Sequence, residues 1–187
     1  MRLKSVVQII DKASQEYMGN RLDGIHFDWD MKTTDRYIER CIDVGHELLL
    51  NAKYLARDGR GCVGLASNQL RHKDTRQFVA KVNGEWDVIT DPILGLSSNW
   101  KTTFEGCLSL PKRKHRNLKV CRFECDSINY IGWKQLSENK HLRYEKLIYR
   151  YGDFTEFEGQ VFQHEYDHLN GLTIADNHKL YYKENNG

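Results

Sequence analysis

The stretch 163–171 reads QHEYDHLNG and places His164 and His168 four residues apart. If these residues form a helix, the two imidazoles lie on one face, one turn apart. Both can then present a ring nitrogen to one metal ion. Glu165 lies about 100° further round the helix than His164, at roughly 3.6 residues per turn, so it borders the ion without having to bind it. A base acting in hydrolysis is needed there, and HExxH on a helix is typical of metal-dependent hydrolases for this reason.

The residues around this stretch favour a helix from about 155 to 169. Asp153 or Thr155 can cap its start, and Gly171 suits its C-terminal end. A histidine pair in a helix can also be structural or solvated, and an isolated HExxH match can arise by chance. The capping residues support the helix, and three apolar side chains indicate that part of it is buried. Both observations favour the metal-site interpretation over that alternative.

A catalytic metal site needs about three protein ligands and an open position. A third histidine in the pattern HExxHxxGxxH is excluded, because Ile174 stands at the last position. A carboxylate further downstream has little chain left to support it. The third ligand is therefore expected upstream, and the best candidate is Cys107 in EGCLSLP (105–111), since a thiolate suits zinc or ferrous iron. Taken alone, a single cysteine in a strand is more often part of the core.

The rest of the pattern predicts an α+β fold, with antiparallel strands packed around the late HExxH helix and a long N-terminal helix. Apolar residues at spacings of three and four predict that helix from Thr34 to Arg57. The uncharged segment 61–70 is expected to be buried. Asn83-Gly84 predicts a hairpin of 76–82 with 85–90, and Asp91-Pro92 is expected to end its second strand. Other strands are expected at 102–110, 118–126 and 142–151, and short helix and loop at 1–32.

Composition limits the classes of protein to which the chain can belong. A length of 187 residues predicts one domain, residues 1–187. A net charge of +2 gives no reason to expect nucleic acid or a membrane as the main partner. Five cysteines, an odd number, argue against a disulfide framework and for a reducing compartment. No apolar stretch is long enough to span a bilayer, so a soluble, cytoplasmic protein is expected.

Three segments occur in order along the chain: GCVGLASNQ (61–69), EGCLSLP (105–111) and QHEYDH (163–168). Together they resemble the three motifs of the peptide deformylase family, which read approximately GxGLAxxQ, EGCLS and QHExDH. The resemblance spans roughly residues 34–175. HExxH alone is only moderately specific, whereas the ordered triple is highly specific.

The resemblance implies a role for each motif residue. Glu165 would be the general acid and base, while the Gln69 side-chain amide and the Leu108 backbone N–H would hold the developing oxyanion. The metal ligands would be Cys107, His164 and His168. The substrate-binding residues would be Cys62, Val63, Gly64, Glu105 and Gly106.

The resemblance also implies the reaction. A metal-dependent hydrolase would remove the N-formyl group from the initiator formylmethionine of nascent peptides and release formate. It would hold one divalent ion, natively Fe²⁺, with Zn²⁺, Ni²⁺ or Co²⁺ as substitutes. Its partners would be N-formylmethionyl nascent peptides and, transiently, the ribosome, with no membrane and no specific nucleic acid.

Some residues keep two interpretations. Gln69 could merely cap a turn, Glu105 could be a surface strand residue or orient the site, and Asp167 could bond a ligand histidine or face solvent. KRKHR (112–116) could be a solvated loop or could grip a peptide or ribosomal RNA. Gln160 replaces an arginine that is frequent in related sequences.

Cys62 stands where the family usually has its opening glycine. Its side chain must either fit near the bound peptide or be turned away by the backbone. The alternative function, a catalytically inactive deformylase-like protein that binds peptide or metal, rests on this residue alone. Another HExxH hydrolase, such as a peptidase, agrees less well with the ligand set and with the three motifs.

Overall fold

The computed structural model describes residues 31–59, 61–110, 116–135 and 144–177. The expectation for residues 1–32 therefore lies almost wholly outside the described residues. The α+β class is confirmed. The elements are helix α1 (Met31–Arg57), strand β1 (Gly64–Ala66), a short 3-10 helix (Ser67–Leu70), strands β2 (Gln77–Val82), β3 (Glu85–Gly106), β4 (Arg116–Gln135) and β5 (Tyr144–Tyr151), and helix α2 (Glu156–Leu169).

The five strands form one antiparallel sheet in the order β1-β2-β3-β4-β5. Alternate side chains of β2 point to opposite faces, as strand geometry requires. Phe78 and Ala80 pack in a core cluster with Phe162 of α2, while Val79 packs with Leu48 of α1. The two helices therefore cover opposite faces of the sheet at β2, which explains why five of the six residues of QFVAKV are buried.

The predicted hairpin is confirmed, and its turn residues Asn83 and Gly84 both have positive φ, 50° and 84°. This is the geometry of the two-residue turn that Asn-Gly favours. The predicted strand end at Asp91-Pro92 is wrong. β3 continues through it, and a register shift between Thr90 and Ile93 absorbs the irregular residues. Proline is tolerated at such a bulge because no ladder N–H is needed there.

Other predicted boundaries moved. α1 is already helical at Met31, ahead of the predicted start at Thr34. β4 covers Arg116–Gln135 and so extends well beyond the predicted 118–126, whereas β5, at Tyr144–Tyr151, agrees with the predicted 142–151 over the residues described. β3 ends at Gly106, so the predicted strand 102–110 is wrong over its last four residues, which form a turn closed by Leu110 N–H to the Cys107 carbonyl at 3.3 Å. No helix in the described part of the chain is long and apolar enough to cross a membrane.

Helix α2 forms as its sequence predicts. Thr155 caps its start: its hydroxyl accepts from the Glu158 N–H, and the Glu158 carboxylate accepts from the Thr155 N–H. Gly171, with φ 75°, follows its end. The burial expected for 61–70 is confirmed from Gly64 to Leu70 and at Cys62, whereas Gly61 is exposed.

Candidate metal centre

Three potential ligands converge between the sheet and helix α2. Cys107 directly follows β3, and His164 and His168 lie one turn apart on α2. Their ligand atoms all lie within 4.8 Å of one another, and Cys107 Sγ is 3.2 Å from His168 Nε2. The two imidazole rings are 4.9 Å apart and nearly perpendicular. The third ligand thus comes from the upstream segment that the sequence indicated.

Each histidine is oriented through its other ring nitrogen. His164 Nδ1 lies 2.9 Å from a Glu105 carboxylate oxygen, and His168 Nδ1 lies 3.1 Å from the Leu172 carbonyl oxygen. Both partners are acceptors, so each Nδ1 carries the proton and donates it. The Nε2 lone pairs are then available to a metal ion, which is the arrangement that fixes ligand histidines in metal sites.

Behind Glu105 lies a buried arginine, Arg122, that none of the three sequence motifs contains. Arg122 donates from Nε and Nη2 to the two oxygens of Glu105, at 2.7 Å each, and from Nη1 to Asp167 at 2.6 Å. Its side chain is only 3% exposed. The available signal was position: Arg122 shares a face of β4 with the buried Val120, and an arginine on a buried face needs carboxylate partners.

This network decides two of the open interpretations. Glu105 orients the site, since its carboxylate joins Arg122 to His164. Burial would raise the Glu105 pKa, but the hydrogen bonds and charges of Arg122 and His164 lower it to about 2. Asp167 follows neither interpretation: it bonds Arg122 rather than a ligand histidine, and it does not simply face solvent.

The charges of the three ligands suit a divalent cation. Burial alone would raise the pKa of the Cys107 thiol, but the two neighbouring histidines hold it well below its usual range. Burial opposes protonation of His168, whereas the charge of Cys107 raises the His168 pKa. One thiolate and two imidazoles form a three-ligand nitrogen and sulfur set, which zinc and ferrous iron accept. The residues therefore fit a metal ion.

Glu165 lies beside the ligands and is buried. Its Oε2 has no hydrogen-bond partner among the described residues, and burial raises its pKa. Gly64 packs against this side chain so closely that an added Cβ would lie 2.6 Å from Glu165 Oε1. A buried carboxylate without a partner is costly, and here it lines a cleft, so a group bound in the cleft can supply that partner.

The cleft has a volume of about 400 Å³ and collects almost all the predicted site residues. His168 is buried behind it. Every other ligand, catalytic residue and substrate-binding residue predicted from the sequence lines its wall, namely Cys62, Val63, Gly64, Gln69, Glu105, Gly106, Cys107, Leu108, His164 and Glu165.

Gln69 both holds a turn and faces the cleft. Its Oε1 accepts from the Ala66 N–H at 2.7 Å, and its Nε2 donates to Ser109 Oγ at 2.9 Å. The side-chain amide has two N–H groups, so one donor remains beyond the bond to Ser109. The turn-capping interpretation is therefore correct but does not remove Gln69 from the site.

Cys62 is turned into the core. Its Sγ donates to the Gly64 carbonyl at 3.2 Å, and its side chain packs in the cluster that includes Leu48 and Leu65. Burial raises the pKa of the thiol to about 12, so it stays protonated. The side chain thus fits beneath the cleft wall rather than across it. KRKHR lies outside the described residues, apart from the backbone of Arg116.

Comparison with known proteins agrees with this geometry. The family model for polypeptide deformylase matches residues 29–184. The peptide deformylase of Thermotoga maritima is 31% identical over 156 residues, covering 80% of this chain and 73% of that protein. The one from Thermotoga neapolitana is 34% identical over 120 residues, and the aligned part spans only 60% of its length.

The fold is also that of solved deformylases. A peptide deformylase structure from Legionella pneumophila superposes with a TM-score of 0.61 at 19% identity, covering 98% of this chain and 92% of that one. The Thermotoga maritima structure gives 0.57 at 20% identity, covering 95% and 98%.

Proposed function

The chain belongs to the polypeptide deformylase family, and from that membership we propose that it removes the N-formyl group from the initiator formylmethionine of nascent peptides and releases formate. One observation carries the proposal: Glu165, a buried carboxylate whose Oε2 has no hydrogen-bond partner among the described residues, lies in a cleft beside a three-ligand metal site. That pair of features is what metal-assisted hydrolysis of an amide needs.

Cys107, His164 and His168 would hold the metal ion. We propose Fe²⁺ as the native ion, with Zn²⁺, Ni²⁺ or Co²⁺ able to replace it. When bound, the ion would polarise the formyl carbonyl and make a water molecule nucleophilic at neutral pH. Glu105 and the Leu172 carbonyl, which hold the two Nδ1–H groups, would keep both imidazoles aimed at it.

Glu165 would move the proton. Its carboxylate would take a proton from the attacking water and deliver it to the leaving amine nitrogen as the formyl C–N bond breaks. The products are formate and a peptide with a free N-terminus. Burial raises the Glu165 pKa, which brings its acid and base forms closer in energy at neutral pH. Gly64 allows this carboxylate to lie against the strand that borders the cleft.

Gln69 and Leu108 would stabilise the developing oxyanion through the Gln69 Nε2–H and the Leu108 N–H. Both residues line the cleft beside Cys107. Loss of one such donor typically lowers the rate on the order of 10²–10³. Because Ser109 and Ala66 already hold the Gln69 amide, this donor is fixed before substrate binds.

The substrate backbone would add a short strand. Among the described residues, β1 is the terminal strand of the sheet and pairs with β2 alone, so its other edge can accept a peptide. We propose that Val63, Gly64 and Gly106 pair with it. Cys62 and Glu105 would contribute by shaping the wall, because their side chains are already engaged with Gly64 and Arg122.

We further propose that residues 1–187 act as one catalytic domain in the cytoplasm, where formylated nascent chains arise, with transient ribosome contact. The net charge of +2 supports no lasting association with nucleic acid.

Formate release from a short formyl-Met peptide tests the proposal. Protein purified without oxygen and loaded with Fe²⁺ or Ni²⁺ should release one formate per peptide and leave the other peptide bonds intact. Internal cleavage would indicate a peptidase instead. No formate from protein with one metal ion per chain would support the inactive relative, and Cys62→Gly would then be the next variant.

A further inference from the structure

A second cavity lies next to the cleft, on the far side of one side chain. It has a volume of about 340 Å³, and Trp100, Phe123 and Phe154 supply its aromatic lining. Among the described residues, Gln160 alone lines both this second cavity and the cleft. The Gln160 side chain therefore forms a partition between two spaces that are each large enough for a sizeable side chain.

Polar contacts hold Gln160 across the gap between helix α2 and strand β3. Its Oε1 accepts from the Thr103 hydroxyl of β3 at 3.4 Å, and its Nε2 donates to Glu156 of α2 at 3.0 Å. The Glu156 carboxylate also pairs with Lys101 of β3. The Thr103 bond joins the Gln160 amide to β3, and the Glu156 bond holds the other end of the amide against α2.

The position of Gln160 along α2 sets its separation from the metal centre. It lies one turn before the ligand His164, about 6 Å along the helix axis. That is roughly the reach of an unbranched side chain of four heavy atoms. The cleft also has apolar lining, to which Phe104, Phe157 and Val161 contribute.

We propose that Gln160 determines specificity by limiting the length of the substrate's N-terminal side chain. The inference rests on the proposed function and deepens it. The substrate's N-terminal side chain enters the cleft beside the metal centre, and its tip meets the Gln160 amide. A side chain longer than this distance is excluded, because Gln160 keeps it from reaching the second cavity. Removing the bulk of Gln160 joins the two cavities and admits it.

Two formylated tripeptides test this inference. They differ only in the first residue, which is methionine or 2-aminodecanoic acid, whose side chain has eight carbons. In Gln160→Ala, the ratio of kcat/KM for the long substrate to that for the methionine substrate should rise on the order of 10-fold or more. Gln160→Leu, which keeps most of the bulk, should retain a ratio close to that of the wild type.

Asn99→Ala is a matched control, because Asn99 lines only the second cavity. Its ratio should not change. An equal loss for both substrates in Gln160→Ala would overturn the inference, since it would show a general effect on the site. An equal rise in Gln160→Leu would also overturn it, because bulk would then not be the cause.

A binding measurement separates this inference from the proposed function. Trp100 lines the second cavity, so its emission should change when the unformylated long-chain peptide binds Gln160→Ala but not when it binds the wild type. The Trp100→Phe version of each protein gives the background. If the wild type releases no formate from the methionine peptide, the proposed function fails. The Trp100 signal then tests by itself whether Gln160 separates the two cavities. A change of emission confined to Gln160→Ala supports that separation, and the absence of such a change overturns it.

Discussion

Two charged junctions join helix α2 to strands β3 and β4, and they differ in burial. The inner junction consists of Glu105, Arg122 and Asp167, with the Arg122 side chain 3% exposed. The outer junction consists of Lys101 and Glu156, which are 51% and 61% exposed. Both pair opposite charges between the same helix and the sheet, yet only the inner one reaches a metal ligand, through Glu105 and His164.

The difference shows how burial changes what an ion pair does. Removing one partner of a buried pair leaves an uncompensated charge away from water. An exposed pair loses little, since water and salt replace the partner. The inner junction should therefore contribute to the stability of the fold and fix the orientation of the His164 ring. The outer junction should affect mainly the position of the cleft wall around Gln160.

Arg122→Met should have the largest effect. It leaves Glu105 and Asp167 without their common partner, so the free energy of unfolding should fall by about 3–5 kcal/mol. Metal affinity should fall 10–100-fold, as is typical when the groups that orient a ligand histidine are disturbed. Denaturant unfolding and metal titration measure the two. A variant as stable as the wild type would show that the inner junction is not what holds α2 to β4.

Low pH should have the second-largest effect, because it weakens the inner junction. The Glu105 pKa is about 2 in the fold against 4.5 for an ordinary glutamate, so in this range the unfolded chain binds more protons than the folded one. The stability that Glu105 contributes is complete above pH 4.5 and is lost as pH falls towards 2. Unfolding followed against pH should show this loss in the wild type, and it should shrink in Glu105→Gln. An unchanged profile in that variant would assign the acid sensitivity to other carboxylates.

Lys101→Ala should have the smallest effect. Because both partners are largely exposed, the change in unfolding free energy should stay within about 1 kcal/mol. It should vanish in 1 M salt, where the screening length is about 3 Å. Measuring Lys101→Ala and Arg122→Met at two salt concentrations distinguishes the two junctions further, since only the exposed pair should respond to salt. A loss comparable to that of Arg122→Met would remove the distinction between the junctions.

Local patterns made α2 and its ligands predictable. The cap at Thr155 and the spacing of His164 and His168 are properties of one continuous segment, so short-range rules describe them. Cys107 could be predicted as a ligand only after other positions for the third ligand had been excluded. The roles of Gln69 and Leu108 were predicted only from the family resemblance. These roles, and the single domain at 1–187, stay predictions until activity is measured.

The features that were missed depend on distant parts of the chain. The buried pairing of Arg122 joins residues 17 and 45 positions away, which no local pattern displays. The passage of β3 through Asp91 depends on its pairing with β4 and on Tyr37 of α1, whose hydroxyl bonds the Asp91 carboxylate. Tertiary contacts overrode the local signal of Asp-Pro.

The most direct test of the central claim compares turnover and metal content in Glu165→Gln. Amide replaces carboxylate with little change of shape, so the three ligands should still bind one metal ion per chain. Formate release from a formyl-Met peptide should fall by at least 10²-fold, about the least that a general acid and base contributes. Metal retained with turnover lost would identify Glu165 as the group that moves the proton. Turnover near the wild-type rate with metal bound would contradict it, because the proton would then move without Glu165.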